Sequence, residues 1–181
     1  MVEASRDPTA DTNRVVFLQD FQIVDVPYGD VVDVLRRDPR PLFATALEDA
    51  RIEGEHLRGR VCPANWPVVL AKTVELRAES PRILPDVAVV PFTWRAATGS
   101  SLFPTFDADL EITAFGTWQT RLTVLGRYQP PGGSLGWHLD RLVLRNVAES
   151  TVRTFLGALC RGIEKTVRQA HTTSHEAHRE V

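Results

Sequence analysis

Polar and apolar residues alternate along several stretches of the chain, and this period of two predicts β-strands. The first stretch, V-V-F-L-Q-D-F-Q-I-V-D-V, is closed by Val26 and Pro27. From Arg51 onward we expect the same period to continue to about Tyr128, with strands over residues 68–78, 87–97, 102–114 and 117–128. Because no helical segments separate these strands, the pattern favours an antiparallel sheet with one face in water.

The alternation also predicts which side chains face the core, since residues two apart lie on the same face of a strand. The polar set includes Asp107, Asp109 and Glu111, which we expect on a solvated outer face. The apolar set should face inward: Val90, Phe92, Trp94 and Ala96, then Phe106, Ala108, Leu110 and Ile112, then Trp118, Leu122, Val124 and Tyr128.

Two short helices are predicted between the first strand and the sheet. Val31, Val34 and Leu35 have helical spacing, and Asp38-Pro39 should end that helix, because the residue before proline avoids the helical conformation. A second short helix is expected around residues 41–50. Both helices are brief, so we expect them to form a cap and not part of the core.

A long amphipathic helix is predicted near the C-terminus, from about residue 134 to residue 170. Its first apolar stripe, around Leu139, is out of register with a second one, so we expect a kink or a fresh start near Asn146, with Glu149 at the capping-box position. The second stripe should pack on the sheet: Val152, Phe155, Leu156, Leu159, Cys160, Ile163 and Val167.

These elements predict one α+β domain in which a curved antiparallel sheet wraps around the long C-terminal helix. The helix must bury its stripe against the sheet, since nothing else in the chain is large enough to cover that face. We place the domain at residues 14–170, between a disordered tail (1–13) and a flexible tail (171–181). A curved sheet closed over one helix should leave a gap at one end, where a ligand could bind.

Composition narrows the possible partners. The net charge of −2 and the pI near 6.2 give no broad basic field for a phosphate backbone, so nucleic acid is not expected. No apolar run is long enough to span a membrane. Two distant cysteines, Cys62 and Cys160, and the lack of an apolar leader favour free thiols in the cytoplasm.

One motif suggests an enzyme at first sight. G-G-S-L-G around Ser134 matches the pattern of a hydrolase nucleophile, but that motif requires a buried parallel strand before the serine. Here the preceding strand is half polar, so Ser134 is better explained as a helix N-cap. His138 and Asp140 do not share a helix face. The histidines of the tail, His171, His175 and His178, suit at most adventitious metal binding, and we expect neither a metal nor a cofactor.

The order of elements resembles the SRPBCC superfamily, the START-like helix-grip proteins that include polyketide cyclases and Bet v 1. F-Q-I-V-D-V-P-Y-G-D-V-V-D-V-L is similar to that family's first strand and helix. R-L-T-V-L-G-R-Y-Q-P-P-G-G-S-L-G-W-H-L-D-R-L-V-L-R-N-V-A-E-S-T-V-R-T-F-L resembles the last strand and grip helix of actinobacterial members. The resemblance spans residues 14–169 and implies a deep cavity between sheet and helix for apolar or amphipathic molecules.

The candidate site is the lining of that cavity. Lys72 is the polar exception on an apolar strand face and suits either a ligand anchor or a position at the rim. The aromatic residues either fill the core or line the pocket. The expected lining is Lys72, Phe92, Trp94, Phe106, Leu110, Trp118, Leu122, Tyr128, Phe155 and Leu159.

Three kinds of function are compatible with such a site. The first is non-catalytic carriage of a lipid or polyketide-like molecule. The second is catalysis of the cyclase/aromatase type, which would need converging ionisable groups in the pocket. An interaction module that works through the outer sheet face is the third, and it is weaker because that face is predicted to be polar and charged.

Overall fold

A computed structural model describes residues 15–61, 74–96, 106–128 and 141–177. The strands of the described chain form one six-stranded antiparallel sheet, in the order β1-β6-β5-β4-β2, with β3 paired to β4. The strands are β1 (Val16–Val24), β2 (Val74–Ala78), β3 (Arg82–Ile83), β4 (Val87–Ala96), β5 (Phe106–Ala114) and β6 (Thr120–Tyr128). The predicted antiparallel sheet is therefore confirmed.

Burial along the strands alternates as the sequence predicts. On β5, Phe106, Leu110 and Ile112 are buried, whereas Asp109 is exposed on the other face. On β4, Val90, Phe92 and Trp94 are buried in the same way. One face of the sheet thus belongs to the core and the other faces water.

Three helices pack on the inner face: α1 (Tyr28–Arg37), α2 (Arg40–Val61) and α3 (Arg141–Ala177). α1 ends at the predicted place, because Asp38 before Pro39 takes an extended conformation. Asp38 then binds the Arg40 guanidinium at 2.8 Å, and hydrogen bonds from Arg40 lower the pKa of the Asp38 carboxyl.

The second helix is longer than predicted. It continues through Val61, so the expectation that strand-like alternation begins at Arg51 is wrong. The segment R-I-E-G-E-H-L-R-G-R-V contains good helix formers and no proline, and each of its two glycines costs only about 1 kcal/mol in a helix. Nor is α2 a cap, since Phe43 is fully buried in the core.

α3 is the grip helix; all seven residues of the predicted stripe are buried, and Ala158 is buried beside them. The Arg153 guanidinium binds the Asp20 carboxylate of β1 at 3.1 Å, and Arg161 lies 3.4 Å from Asp49 of α2. The helix is continuous past Asn146, so a fresh start there is wrong. It also continues to Ala177, inside the segment predicted as a tail.

These elements make the predicted α+β helix-grip fold, with the sheet curved around the C-terminal helix. In the part of the chain that the structure describes, no helix is long and apolar enough to cross a membrane. Ser134, His138, Asp140 and His178 lie outside the described residues, so the expectations for them stay predictions.

Candidate functional site

The inner face of the sheet carries a cluster of five aromatic residues from β4, β5, α2 and α3. The Trp94 and Phe106 rings stack with centroids 4.5 Å apart, and Phe92 stacks on Phe155 at 5.4 Å. Phe43 meets Phe92 and Phe155 edge-on at 5.6 and 5.8 Å. All five side chains are at most 6% exposed, so the described part of this space is filled by aromatic rings.

A glycine on β6 makes room for this arrangement. Gly126 pairs with Ala108 of β5, and a Cβ atom at Gly126 would overlap the Phe106 ring. The missing side chain lets the Phe106 ring lie against the sheet and present its other face to Trp94. The strand register therefore fixes both the position and the tilt of the aromatic pair.

The aromatic pair lies at one end of the sheet. Trp94 is paired with Phe106 and Phe106 with Tyr128, so these residues form a row across β4, β5 and β6. β6 ends at this row, β5 begins there, and β4 ends two residues beyond it, at Ala96. Leu76 of β2 and Val16 of β1 extend the row to both sides of the sheet.

The ten residues predicted to line a cavity do not all come together. Seven are buried on the inner face, and Phe92, Trp94, Phe106 and Phe155 among them touch one another. The other three, Leu110, Leu122 and Leu159, are fully buried in the surrounding core. A lining role for these seven stays a prediction.

The remaining three residues have different outcomes. Trp118 is wrongly predicted: it is 73% exposed in the turn between β5 and β6, because Gly116, with a φ of 81°, turns the chain before β6 begins at Thr120. The backbone of Tyr128 ends the aromatic row, but its side chain lies outside the described part. Lys72 also lies outside it.

Ionisable groups are sparse on the described inner face. Asp20 is held by Arg153 at the edge of the sheet, away from the aromatic cluster. Cys160 is a free, buried thiol. Burial, and to a smaller extent the nearby Glu164 carboxylate, raises its pKa to about 11. This thiol is therefore protonated at neutral pH and unreactive. Among the described residues no group of His, Cys, Asp and Glu could hold a metal ion.

An open groove of about 1150 Å³ crosses the outer face and is a second candidate site. Its lining includes Arg127, Asp107 and Thr93 in one row across three strands. Thr93 donates a hydrogen bond to Asp107 at 3.1 Å, and Arg127 lies 4.0 Å from the same carboxylate. Thr93 and Asp107 are thus bonded to each other and Arg127 lies at the limit of an ion pair, so these groups give no indication of a small-molecule ligand.

Sequence reasoning missed two residues that shape the aromatic cluster. Phe43 lies in the helix that the sequence predicts as a cap. The spacing of apolar residues in a short helix does not indicate which layer of the fold the helix packs against. Gly126 interrupts the inward apolar series of β6 after Val124. A glycine in a strand can signal a close approach by another group, and that signal was available in the sequence.

Comparisons with family models and with curated proteins found no match. Solved structures do match. A conserved protein from Geobacillus kaustophilus is 14% identical, with 83% of this chain and 97% of that chain covered and a TM-score of 0.51. An aromatase/cyclase from Streptomyces sp. R1128 is 15% identical over 87% and 98% of the two chains, with a TM-score of 0.40.

The lipid transfer and protein localization domain of human StarD13 is 16% identical over 82% and 79% of the two chains, with a TM-score of 0.38. At such identities the likeness concerns the fold alone, and function must be argued from the site. The helix-grip fold that the sequence predicted is the one observed, whereas membership of the SRPBCC superfamily stays a prediction.

Proposed function

We propose that this protein binds an apolar or amphipathic small molecule, such as a lipid or a polyketide-like compound, and carries it without chemical change. The observation that supports this most is the buried aromatic row at one end of the inner sheet face. Stacked aromatic rings are large and apolar, which suits a flat or elongated apolar ligand, but each ring is at most 6% exposed, so a ligand must displace part of the row to bind.

The proposed binding surface is the side of this row that faces the end of the sheet, where β5 begins and β6 ends. Trp94 and Phe106 form its wall, and Phe92 and Phe155 lie behind them. Leu110, Leu122 and Leu159 supply the packed base that holds the rings in place. Lys72 remains a proposed polar anchor for a ligand head group, and Tyr128 remains a proposed part of the lining.

Carriage is favoured over a cyclase/aromatase activity by the chemistry of the described inner face. General acid–base catalysis needs groups within hydrogen-bond reach of each other or of the substrate. The aromatic cluster itself contains no ionisable side chain, and the buried thiol of Cys160 on α3 is protonated at neutral pH. A buried free thiol also fits the proposed cytoplasmic location.

Native mass spectrometry of the protein purified from its own host tests the proposal directly. We expect a non-covalent adduct that is released unchanged on denaturation, and solvent extraction should identify it as apolar or amphipathic. A released molecule that has been chemically converted from an added precursor would instead favour the enzyme.

A fluorescent fatty acid, cis-parinaric acid, locates the site, because it accepts energy from nearby tryptophan. The chain has four tryptophans, and the structure offers a matched pair: buried Trp94 and exposed Trp118. Trp94→Phe should remove most of the energy transfer, whereas Trp118→Phe should leave it nearly intact. Non-saturable binding, or loss of transfer only in Trp118→Phe, would contradict the proposed position.

A further inference from the structure

The sequence predicts a polar and charged outer face of the sheet. In the structure this face is not uniformly polar. Of the eight large hydrophobic side chains exposed in the described part, four lie on the outer surface of β1 and β6, and two more lie in the turn that joins β5 to β6. Monomeric proteins rarely expose a contiguous apolar patch of more than a few hundred Å². The six form what we call the edge patch: Phe17, Phe21, Ile23, Leu125, and Phe115 and Trp118 in the adjoining turn.

The edge patch has a regular layout. The apolar residues of β1 form one column, and their paired partners on β6 include Arg127 opposite Phe17 and Arg121 opposite Ile23. Arg121 also lies 5.9 Å from the Phe115 ring centroid. We call the β1 residues Phe17, Gln19, Phe21 and Ile23 the apolar column, and we call their β6 partners Arg127, Leu125, Thr123 and Arg121 the arginine column, after the residues at its two ends.

Pairing of another strand to the open edge of β1 is opposed at one point, Phe21. The Phe21 N–H points to this edge, and the Asp20 carboxylate accepts its hydrogen bond at 2.8 Å. The same carboxylate is held by Arg153 at 3.1 Å, so it is fixed in the way of an incoming strand. Charged groups that block an edge are a common defence against strand addition. Whatever covers the edge patch must therefore lie on the face of the sheet.

We propose that a second copy of this chain covers the edge patch in a two-fold symmetric, face-to-face dimer. An axis parallel to the strands, between β1 and β6, would place each apolar column over the partner's arginine column. Phe17 of each copy would then meet Arg127 of the partner subunit, and cation–π contacts of this kind are favourable. A two-fold axis of this kind pairs each column of one copy with the other column of the second copy, so a patch made of two adjacent columns can contact its own copy.

The size of the edge patch suits this interface. Its four aromatic side chains are between 44% and 78% exposed. At roughly 150–250 Å² for each ring system, they present on the order of 400–600 Å². With Ile23, Leu125 and the arginine stems added, this approaches the ~800 Å² that each partner contributes to a stable interface.

Sedimentation velocity from about 1 to about 100 µM protein tests the dimer, since this range spans moderate affinities. We expect a species of about twice 20.2 kDa in the wild type. Phe17→Asp and Phe21→Asp should each raise the dissociation constant at least about 30-fold, because each change occurs twice per dimer. Leu84→Asp is the matched control: Leu84 is 61% exposed but lies outside the edge patch, and this variant should dimerise normally. Circular dichroism checks that each variant is folded.

Cysteine cross-linking tests the geometry independently of those substitutions. Gln19→Cys, in the β1 column, should be joined to its symmetry mate by a short bis-maleimide cross-linker, because packed sheets lie about 10 Å apart and two residues beside the axis are too far apart for a direct disulfide. Asp109→Cys, two strands away on the same face, should cross-link no more than the wild type, which controls for the native cysteines. A wild-type chain that stays monomeric at about 100 µM would overturn the proposal. A dimer that survives both aspartate substitutions would overturn it as well.

Discussion

Replacing Gly126 by alanine should destabilise the protein, although alanine suits a strand better than glycine. The new Cβ atom would overlap the Phe106 ring and lie 3.0 Å from the Ala108 Cβ atom. Strand pairing fixes the backbone on both sides, so the ring must move into Trp94. Overpacking of this kind costs about 1–3 kcal/mol, and removing a glycine from a strand returns about 0.5–1 kcal/mol. The net loss should be about 1–2 kcal/mol.

Urea denaturation followed by circular dichroism measures this loss, and a thermal melt should show a Tm lower by about 2–8 °C. Phe106→Leu provides the second arm of a double-mutant cycle. In that background the alanine no longer meets a ring, so its cost should disappear. Gly29→Ala is the control, because a Cβ atom there meets nothing within 4 Å, and it should be neutral or stabilising. The reasoning is refuted if Gly126→Ala matches the wild type, or if its cost is unchanged beside Phe106→Leu.

Three further predictions use the same denaturation assay. Phe43→Ala should cost about 3–5 kcal/mol because it empties a fully buried ring site, whereas Ile52→Ala at a 40% exposed position should cost much less. Thr120→Val should cost about 1–3 kcal/mol, since it removes a buried 2.7 Å hydrogen bond to the Val26 carbonyl. Burial raises the pKa of Cys160 from 9.0 to about 11, so the native state binds this proton more tightly than the unfolded state. The free energy of unfolding should therefore fall as the pH rises from 9.0 to about 11, and the fall should be shallower in Cys160→Ala.

The faces of the strands could be predicted because a sheet with one buried face forces a period of two. Phe92, Leu110 and Leu122 each occupy the predicted side for this reason. The same rule fails where a strand begins. Trp118 has the parity of the inward residues, but parity has no meaning in the turn that Gly116 starts. Alternation therefore fixes the face of a residue only once the strand bounds are known.

The aromatic cluster could be predicted only in part, because it depends on contacts between distant segments. The pattern placed Trp94, Phe106 and Phe155 on buried faces, yet it could not tell that Phe43 of α2 would meet them. The edge patch was missed for a related reason. β1 has apolar residues on both faces, and Phe17 and Phe21 are exposed because no helix covers the outer face of the described sheet.

The two proposed surfaces should work independently, because they lie on opposite faces of one sheet. Phe106 points to the inner face and Phe17 to the outer face, so a dimer through the edge patch leaves the aromatic row uncovered. The monomeric variant Phe17→Asp should therefore bind cis-parinaric acid with the wild-type dissociation constant. Titrations on both sides of the dimerisation midpoint measure this. A change in probe affinity that follows the fraction of dimer would mean that the interface reaches the inner face. The proposed face-to-face dimer through the outer face would then be wrong.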